Sequence, residues 1–323
     1  MADYKDIKGT TVSTLTADPP TALAQGDLWY RSDSDVYKMG GKSSAWSSGE
    51  AFPWPVVGQG SGGTQTAAWH ASGQGESPGP ASPTATYWYN GTTWSDQSQA
   101  SPNNSGYIGS TGTQASGLIA GGTPQGSAAA YWGGSSWTAI TGLGQDRRYI
   151  AGFGATGTSA VMCGGQKWSP NSASNYVEEW NGTSWTALAT MPEAKSASSQ
   201  GHGTSTTGMV VGGDPKNTIN QIFNGTSWGL GTAYPTAIGN QLGCGPNAAC
   251  LEYGGATPGA RTTLTCEYDG STWTTKGSLT TARSAGGSSK SGSTAASLMW
   301  GGTQPGNTAA TEEYNEADAI VTV

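Results

Sequence analysis

The chain has 323 residues, of which 11% are charged, and its formal net charge is −7. A globular protein usually has about a quarter of its residues charged, and an acidic chain lacks the basic surface that binds nucleic acid or anionic membranes. No window approaches the roughly 18 consecutive apolar residues of a membrane span. We therefore expect no nucleic-acid partner and no membrane insertion.

Aromatic rings and glycine dominate the composition, with 14 Trp, 13 Tyr and 52 Gly. Each aromatic ring can bury about 150–250 Å², and glycine lets backbones approach closely between the rings. This combination is typical of a thin, turn-rich β protein.

Residues 1–26 precede the regular part of the sequence. They contain Tyr4, Lys5 and Lys8 among acidic residues, and the Pro19-Pro20 pair favours an extended chain. No apolar run follows Met1, so we expect no secretory signal there. The segment is predicted to be an extended N-terminal arm.

From residue 27 onward one unit repeats about every 45 residues. Its first landmark is a short apolar run ending in two glycines, at 118–122, 161–165, 209–213, 251–255 and 298–302. A degenerate copy lies at 69–73, and 28–31 is a further copy without the glycines. Its second landmark is an aromatic residue, Asn-Gly or Asp-Gly, and a Trp three residues after the glycine, at 86–94, 177–185, 221–228 and 266–273.

The second landmark predicts a hairpin with a type I′ turn, in which both central residues have positive φ. Together with the apolar run and the small-residue stretch before it, each repeat contains four strand-like segments. Such a unit cannot bury both faces alone, so neighbouring copies must cover it.

The predicted fold is therefore an all-β propeller of seven four-stranded blades over residues 27–323. Six blades are the alternative if residues 27–48 only complete the last blade. The glycine pairs are expected where a Cβ is hard to fit, and the hairpin Trp, such as Trp185, between blades. The last copy lacks a hairpin Trp, and residues 319–323 are predicted to supply its outer strand.

Four cysteines occur without the CxxC spacing of a metal or redox site: Cys163, Cys244, Cys250 and Cys266. We interpret them as small core residues in a reducing compartment. A Cys244–Cys250 disulfide is the alternative, because the Gly-Pro-Asn between them suggests a hairpin.

The landmarks together resemble Kelch repeats over about residues 27–315. Met191-Pro192 with Lys195, and Leu279 with Arg283, resemble the element that follows the hairpin in that family. The opening Tyr4-Lys-Asp-Ile-Lys-Gly9 and the segment Gly26-Asp-Leu-Trp-Tyr30 further resemble the start of Kelch-like proteins of tailed, especially marine, phages.

This narrower resemblance implies a virion protein, on a tail fibre or another external appendage. The expected function is non-enzymatic: a structural or adhesion protein that contacts other virion proteins and a host surface protein or glycan. A carbohydrate- or protein-binding propeller of a cell-surface protein is the alternative, and homo-oligomerisation is left open.

The connections between the second and third strands of the repeats are the candidate contact surface, because most contain proline and one contains a Trp that no hairpin requires. The alternative interpretation is that proline only stiffens these exposed loops and that they bind no partner. The candidate residues in these connections are Pro78, Pro83, Pro124, Trp168, Pro170, Pro215, Pro258, Arg261 and Pro305. In the arm, Tyr4, Lys5 and Lys8 are the candidate docking residues.

No catalytic, cofactor or metal site is predicted. The two histidines, His70 and His202, fall in different repeats and are interpreted as ordinary strand residues. Glu178-Glu179 and Glu312-Glu313 could suggest a cation site, but a solvated strand edge that repels pairing is the preferred interpretation.

Overall fold

The computed structural model describes residues 12–19, 27–75, 84–103, 105–124, 126–196 and 201–322. All regular secondary-structure elements among these residues are β-strands, which confirms the predicted all-β class. The chain divides into two compact units: unit 1 contains the residues up to Ser44 and those from Glu316 onward, and unit 2 spans Ala45–Asn315. No described segment forms a helix of the length and apolarity that a membrane span requires.

The strands, in chain order, are β1 Ser13–Leu15, β2 Leu28–Arg31, β3 Val36–Ser48, β4 Val56–Val57, β5 Gly60–Thr64, β6 Ala67–Ala71, β7 Gln74–Gly75, β8 Ala85–Tyr89, β9 Trp94–Ala100, β10 Gly109–Gly112, β11 Gly117–Ala120, β12 Ala129–Trp132, β13 Trp137–Ile140, β14 Arg147–Arg148 and β15 Ala151–Thr156. They continue with β16 Ser159–Cys163, β17 Gln166–Lys167, β18 Val177–Trp180, β19 Trp185–Ala187, β20 His202–Thr204, β21 Thr207–Val211, β22 Asn220–Phe223, β23 Trp228–Leu230, β24 Leu242–Cys244, β25 Cys250–Tyr253, β26 Thr265–Tyr268, β27 Trp273–Thr275, β28 Gly287–Ser288, β29 Ala296–Trp300 and β30 Thr311–Thr322.

Unit 1 is built on a hairpin of β2 and β3, with Tyr30 opposite Tyr37. Strand β1 pairs in parallel with β2. Trp29 is buried and donates its indole N–H to Asp18 Oδ1 at 3.3 Å, and Asp18 forms an ion pair with Arg31 at 2.8 Å. Residues 12–19 of the predicted arm thus contribute to unit 1, and the boundary predicted at residue 26 stays a prediction.

Unit 2 contains five four-stranded antiparallel sheets, each made of strands that follow one another within one repeat: β5-β6-β8-β9, β10-β11-β12-β13, β15-β16-β18-β19, β20-β21-β22-β23 and β24-β25-β26-β27. In a further sheet the strands follow the order β3-β30-β29-β28. The parts of this sheet that belong to unit 2 are residues 45–48 of β3, residues 311–315 of β30, and strands β28 and β29. The short pairs β4-β7 and β14-β17 lie outside these sheets. This architecture is consistent with a blade-based β-propeller.

Hydrogen bonds from the glycine pairs link each sheet of unit 2 to the next. The N–H of the second glycine, or of Gly73 after Ser72 in the degenerate copy, donates to a carbonyl ahead of the following sheet. The donor and acceptor residues are Gly73–Ser105, Gly122–Arg147, Gly165–Lys195, Gly213–Ile238, Gly255–Arg283 and Gly302–Val56. The last pair leads back to the segment ahead of β5. At Gly254 φ is +62°, and a Cβ would lie 2.6 Å from the Arg283 carbonyl oxygen, which confirms the predicted crowding.

The hairpins contain the predicted strands, but the predicted type I′ turn is wrong. The loops have four residues, with Trp180 pairing opposite Trp185, and φ is positive at Gly182 but not at Asn181. The Asn181 side-chain oxygen accepts the N–H groups of Thr183 and Ser184, both at 2.9 Å. Because the side chain stabilises this loop, Asn needs no left-handed backbone.

The hairpin tryptophans lie between sheets, as predicted. Trp185 is half-buried, packs on the cluster that includes Leu118 and Trp180, and donates its indole N–H to Thr141 O at 2.7 Å in the preceding repeat. In the last sheet Trp46, on β3, takes the corresponding place. It contacts the Tyr314 ring at 5.3 Å and donates to Thr265 Oγ1 at 3.0 Å.

Strand β30 is continuous from Thr311 to Thr322, so residues 319–322 extend the third strand of the last repeat. The prediction that residues 319–323 form a separate outer strand is therefore wrong. In unit 2, residues 45–48 of β3 lie in that outer position instead.

All four cysteines are buried and free, which confirms them as core residues and makes the disulfide alternative wrong. Cys244 packs with Trp46 and Leu242, whereas Cys250 packs with Met209 and Cys266 in a different cluster. The two thiols lie on opposite faces of one sheet because side chains alternate along a strand.

Candidate binding surface

The rim loops of unit 2 join the second and third strands of each sheet and contain most of the predicted contact residues. Five of these prolines are exposed: Pro124, Pro170, Pro215, Pro258 and Pro305. The peptide bonds before Pro124, Pro170 and Pro215 are cis. Pro78 and Pro83, like Tyr4, Lys5 and Lys8 of the arm, lie outside the described residues.

Trp168 is the most prominent side chain of the rim, with 49% of its surface exposed. The Arg148 guanidinium lies 5.3 Å from the centroid of its ring and 5.5 Å from that of Tyr149. Tyr149 in turn contacts Tyr107, with 4.4 Å between the ring centroids. We call these four residues the Trp168 platform.

A short pair of strands positions the platform. β14 pairs with β17, so that Arg148 lies opposite Gln166, two residues before Trp168. Arg148 donates from Nε to Gln166 Oε1 at 2.9 Å and from Nη2 to Asn171 Oδ1 at 3.3 Å. The Trp168 N–H donates to the Asp146 carbonyl at 3.3 Å. The guanidinium is therefore held in place beside the exposed indole.

The two tyrosines occupy equivalent positions, each two residues before the first strand of its sheet. Both have positive φ, +58° at Tyr107 and +55° at Tyr149, and the Tyr149 N–H donates to the Tyr107 carbonyl at 2.7 Å. Burial raises the pKa of the Tyr107 phenol, so the ring stays uncharged.

Trp168 was predicted from the sequence, but its three partners were not. The available signal was Arg148-Tyr149 directly ahead of a first strand, with Tyr107 in the same place one repeat earlier. Arg261, also predicted, is exposed and lies apart from the platform, where its Nε donates to Ser284 Oγ at 3.3 Å.

The histidines are both strand residues, in β6 and β20. His70 lies 4.4 Å from the Phe52 ring centroid, and burial lowers its pKa to about 3. His202 Nε2 lies 2.8 Å from Glu252 Oε1, and both side chains are buried. No group of three His, Cys, Asp or Glu side chains in the described part of the chain could hold a metal ion.

The interpretation of Glu178 and Glu312 as solvated edge residues is wrong, because both side chains are buried in ion pairs. Glu178 pairs with Arg147, and Glu312 pairs with Arg283 at 2.8 Å. A charge leaves water only when a partner compensates it, and each arginine does so here. Their neighbours Glu179 and Glu313 are partly exposed.

The platform combines an exposed indole with a positioned cation. An indole offers a large apolar face, and a guanidinium offers several N–H donors in one plane. Such a surface can stack on a partner's apolar or ring surface and hydrogen-bond its oxygens. No family model matches the chain, and a comparison with curated proteins found no match.

Proposed function

We propose that unit 2 is a Kelch-like β-propeller with six blades, the alternative considered beside seven. Two observations support six. The glycine hydrogen bonds run through six sheets and return from Gly302 to Val56. Trp46 on β3 makes the contacts in the last sheet that a hairpin Trp makes in the others.

The proposed function is that of a non-enzymatic structural or adhesion protein in the virion of a tailed phage, on a tail fibre or another external appendage. The resemblance of the N-terminal segments to phage Kelch-like proteins supports the location. The Trp168 platform carries the proposal for adhesion. Its partner is a protein or glycan on the host surface, and other virion proteins hold the chain in the particle.

The platform suits a contact surface because its geometry is set before any partner arrives. Buried tryptophan and arginine side chains contribute most of the binding energy in many interfaces. Ordering a free side chain on binding costs about 0.5–1.5 kcal/mol. The hydrogen bonds of Arg148 to Gln166 and Asn171 reduce that cost.

Adhesion is tested with the double variant Trp168→Ala with Arg148→Ala, measured as attachment of the purified protein to host cells. We expect attachment to fall by about tenfold or more, because two central contacts are lost. Leu230→Ala is the matched control, since Leu230 is 66% exposed but lies at the end of β23, outside the rim loops. Attachment equal to the wild type in the double variant would exclude the platform as the contact surface.

The virion location is tested separately, by electron microscopy of intact particles and by deletion of residues 2–11, which leaves β1 and Asp18 in place. The chain should appear on an external appendage, and the deletion should prevent incorporation while the rest of the protein still folds. Normal incorporation of the shortened chain would contradict a docking role for Tyr4, Lys5 and Lys8.

A further inference from the structure

A cavity of about 220 Å³ lies in unit 2 at the ends of the first strands, where they turn into the second strands. The rim loops are at the opposite ends of these strands. Polar residues from three sheets line the cavity, among them Thr111 and Thr113, Thr204, and Lys290 with Ser291. None of the lining residues in the described part of the chain is acidic, although the chain as a whole carries a net charge of −7.

Lys290 is the one charged residue among the described residues that line the cavity. It is 8% exposed, and its ammonium donates to the Ser110 carbonyl and, at 3.0 Å, to Ser110 Oγ in another sheet. Ser110 Oγ donates to the Ser61 carbonyl at 3.0 Å. The ammonium is therefore fixed beside the cavity. Burial lowers its pKa to about 7, so acidic solution favours the charged ammonium.

Two hydroxyl groups at the cavity add to the polar lining. Thr113 Oγ1 accepts the Ser116 N–H at 3.2 Å. Thr204 Oγ1 accepts the Thr206 N–H at 3.4 Å and lies 3.2 Å from the hydroxyl oxygens of both Thr206 and Thr207. The Thr113 hydroxyl accepts this bond and still has its own hydrogen to donate, whereas the Thr204 hydroxyl belongs to a small cluster of threonine hydroxyls. Together with the positive charge of Lys290, these hydroxyls make the lining polar, and no carboxylate among the described lining residues competes with a ligand.

We infer that this Lys290 cavity binds a small oxyanion, a carboxylate or a phosphate, on a ligand no larger than a monosaccharide. The cation and the hydroxyl donors determine the charge of the ligand. The volume limits its size, since pockets for drug-sized ligands begin at about 300 Å³. The site is separate from the Trp168 platform and does not depend on adhesion.

The inference is tested by calorimetric titration of the full chain, in slightly acidic buffer, with inorganic phosphate, glucuronate and glucose. We expect one or both anions to bind and glucose, which has the size but not the charge, to bind at least about tenfold more weakly. Binding of phosphate alone identifies a phosphoryl ligand, and binding of glucuronate alone identifies a sugar acid. If neither anion binds, the inference is wrong.

Two variants locate the binding. Lys290→Met should weaken anion binding by about tenfold or more, whereas Lys216→Met, the same substitution in a rim loop, should leave it unchanged. Thr204→Glu keeps Lys290 but places a negative charge at an exposed position of the lining, and it should also weaken binding. If Lys290→Met does not fold, the result with Thr204→Glu tests the site instead. An anion affinity in Thr204→Glu equal to that of the wild type would then show that the anion does not bind in the Lys290 cavity.

Discussion

At the scale of single residues, two buried arginines stabilise the turns that follow the second strands of unit 2. Arg147 Nη1 donates to the carbonyls of Gly164 and Tyr176, at 2.7 and 2.9 Å. Arg283 does the same for Gly301 and Ala310, at 3.4 and 2.6 Å. In another repeat the Asn103 amide donates to the equivalent carbonyls. Each arginine thus joins a glycine pair to a glutamate on the third strand.

Removing one partner of such a pair should be costly. Arg283→Met should reduce the free energy of unfolding by about 3–5 kcal/mol, because Glu312 is left as an uncompensated buried charge. Chemical denaturation measures the loss. The double variant Arg283→Met with Glu312→Leu should recover much of it, and Arg261→Met on the surface should change stability by less than about 0.5 kcal/mol. Equal losses in the single and double variants would contradict this account.

Part of this arrangement was predictable. Leu143 precedes Arg147 by the same four residues that separate Leu279 from Arg283 and Met191 from Lys195. That spacing marks the arginine as part of the repeat. The choice of Glu178 as its partner was not predictable, because the two lie 31 residues apart and meet only when the strands pair.

His70 should make the protein sensitive to acid. Its pKa is about 3 in the folded chain, against 6.5 for an ordinary histidine. Between these values the unfolded chain binds a proton that the folded chain does not, so stability falls as pH falls from 6.5 towards 3. The slope from this residue is about 1.4 kcal/mol per pH unit.

His70→Asn removes the titrating group, and Asn can still accept a hydrogen bond such as the one from the Trp300 indole. Unfolding midpoints measured from neutral to acidic pH should therefore fall less steeply in this variant. Parallel pH profiles for the variant and the wild type would show that His70 is not the source.

At the scale of elements, the strands were predictable and the loop type was not. The alternation of apolar and small residues, and the aromatic residues on both sides of Asn-Gly, are local signals. The conformation of the four-residue loop depends on Asn181, whose side-chain oxygen competes for the N–H groups of Thr183 and Ser184. The Trp168 platform was only partly predictable, since it joins residues of two successive repeats.

The hairpin tryptophans should contribute more to the stability of the fold than the exposed Trp168 does. Trp185→Ala should reduce the free energy of unfolding by about 2–3 kcal/mol, because the variant loses the packing of the ring and its hydrogen bond to Thr141. This loss is smaller than for a fully buried Trp because the Trp185 ring is half-buried. Trp168→Ala, the same substitution at a 49% exposed site, should cost less than about 1 kcal/mol. Thermal unfolding of both variants checks the difference. Equal losses would mean that Trp185 does not join two sheets.

At the scale of the molecule, the last sheet of unit 2 combines strands from both ends of the chain. Residues 45–48 of β3 lie beside β30. Six blades are the predicted alternative if residues 27–48 only complete the last blade, and the position of Trp46 supports that alternative. The missing hairpin Trp of the last repeat was the signal, but no local pattern shows which distant segment replaces it.

Deletion of residues 2–48 should destabilise unit 2 by more than about 3 kcal/mol, because Trp46 is lost and a strand edge is exposed. A synthetic peptide of residues 36–48 should restore part of that stability when added to the shortened chain. Deletion of residues 2–26, which leaves β3, is the control. Equal stability of the two shortened chains would contradict the role of β3.

The composition of this last sheet also determines when the protein can finish folding during synthesis. The first five sheets are each complete within one stretch of the nascent chain and can form as they leave the ribosome. Trp46 must wait for Thr265, 219 residues later, and then for β30. Contacts of such long sequence separation form slowly, so β3, one of the first strands to be translated, is among the last to complete its pairing.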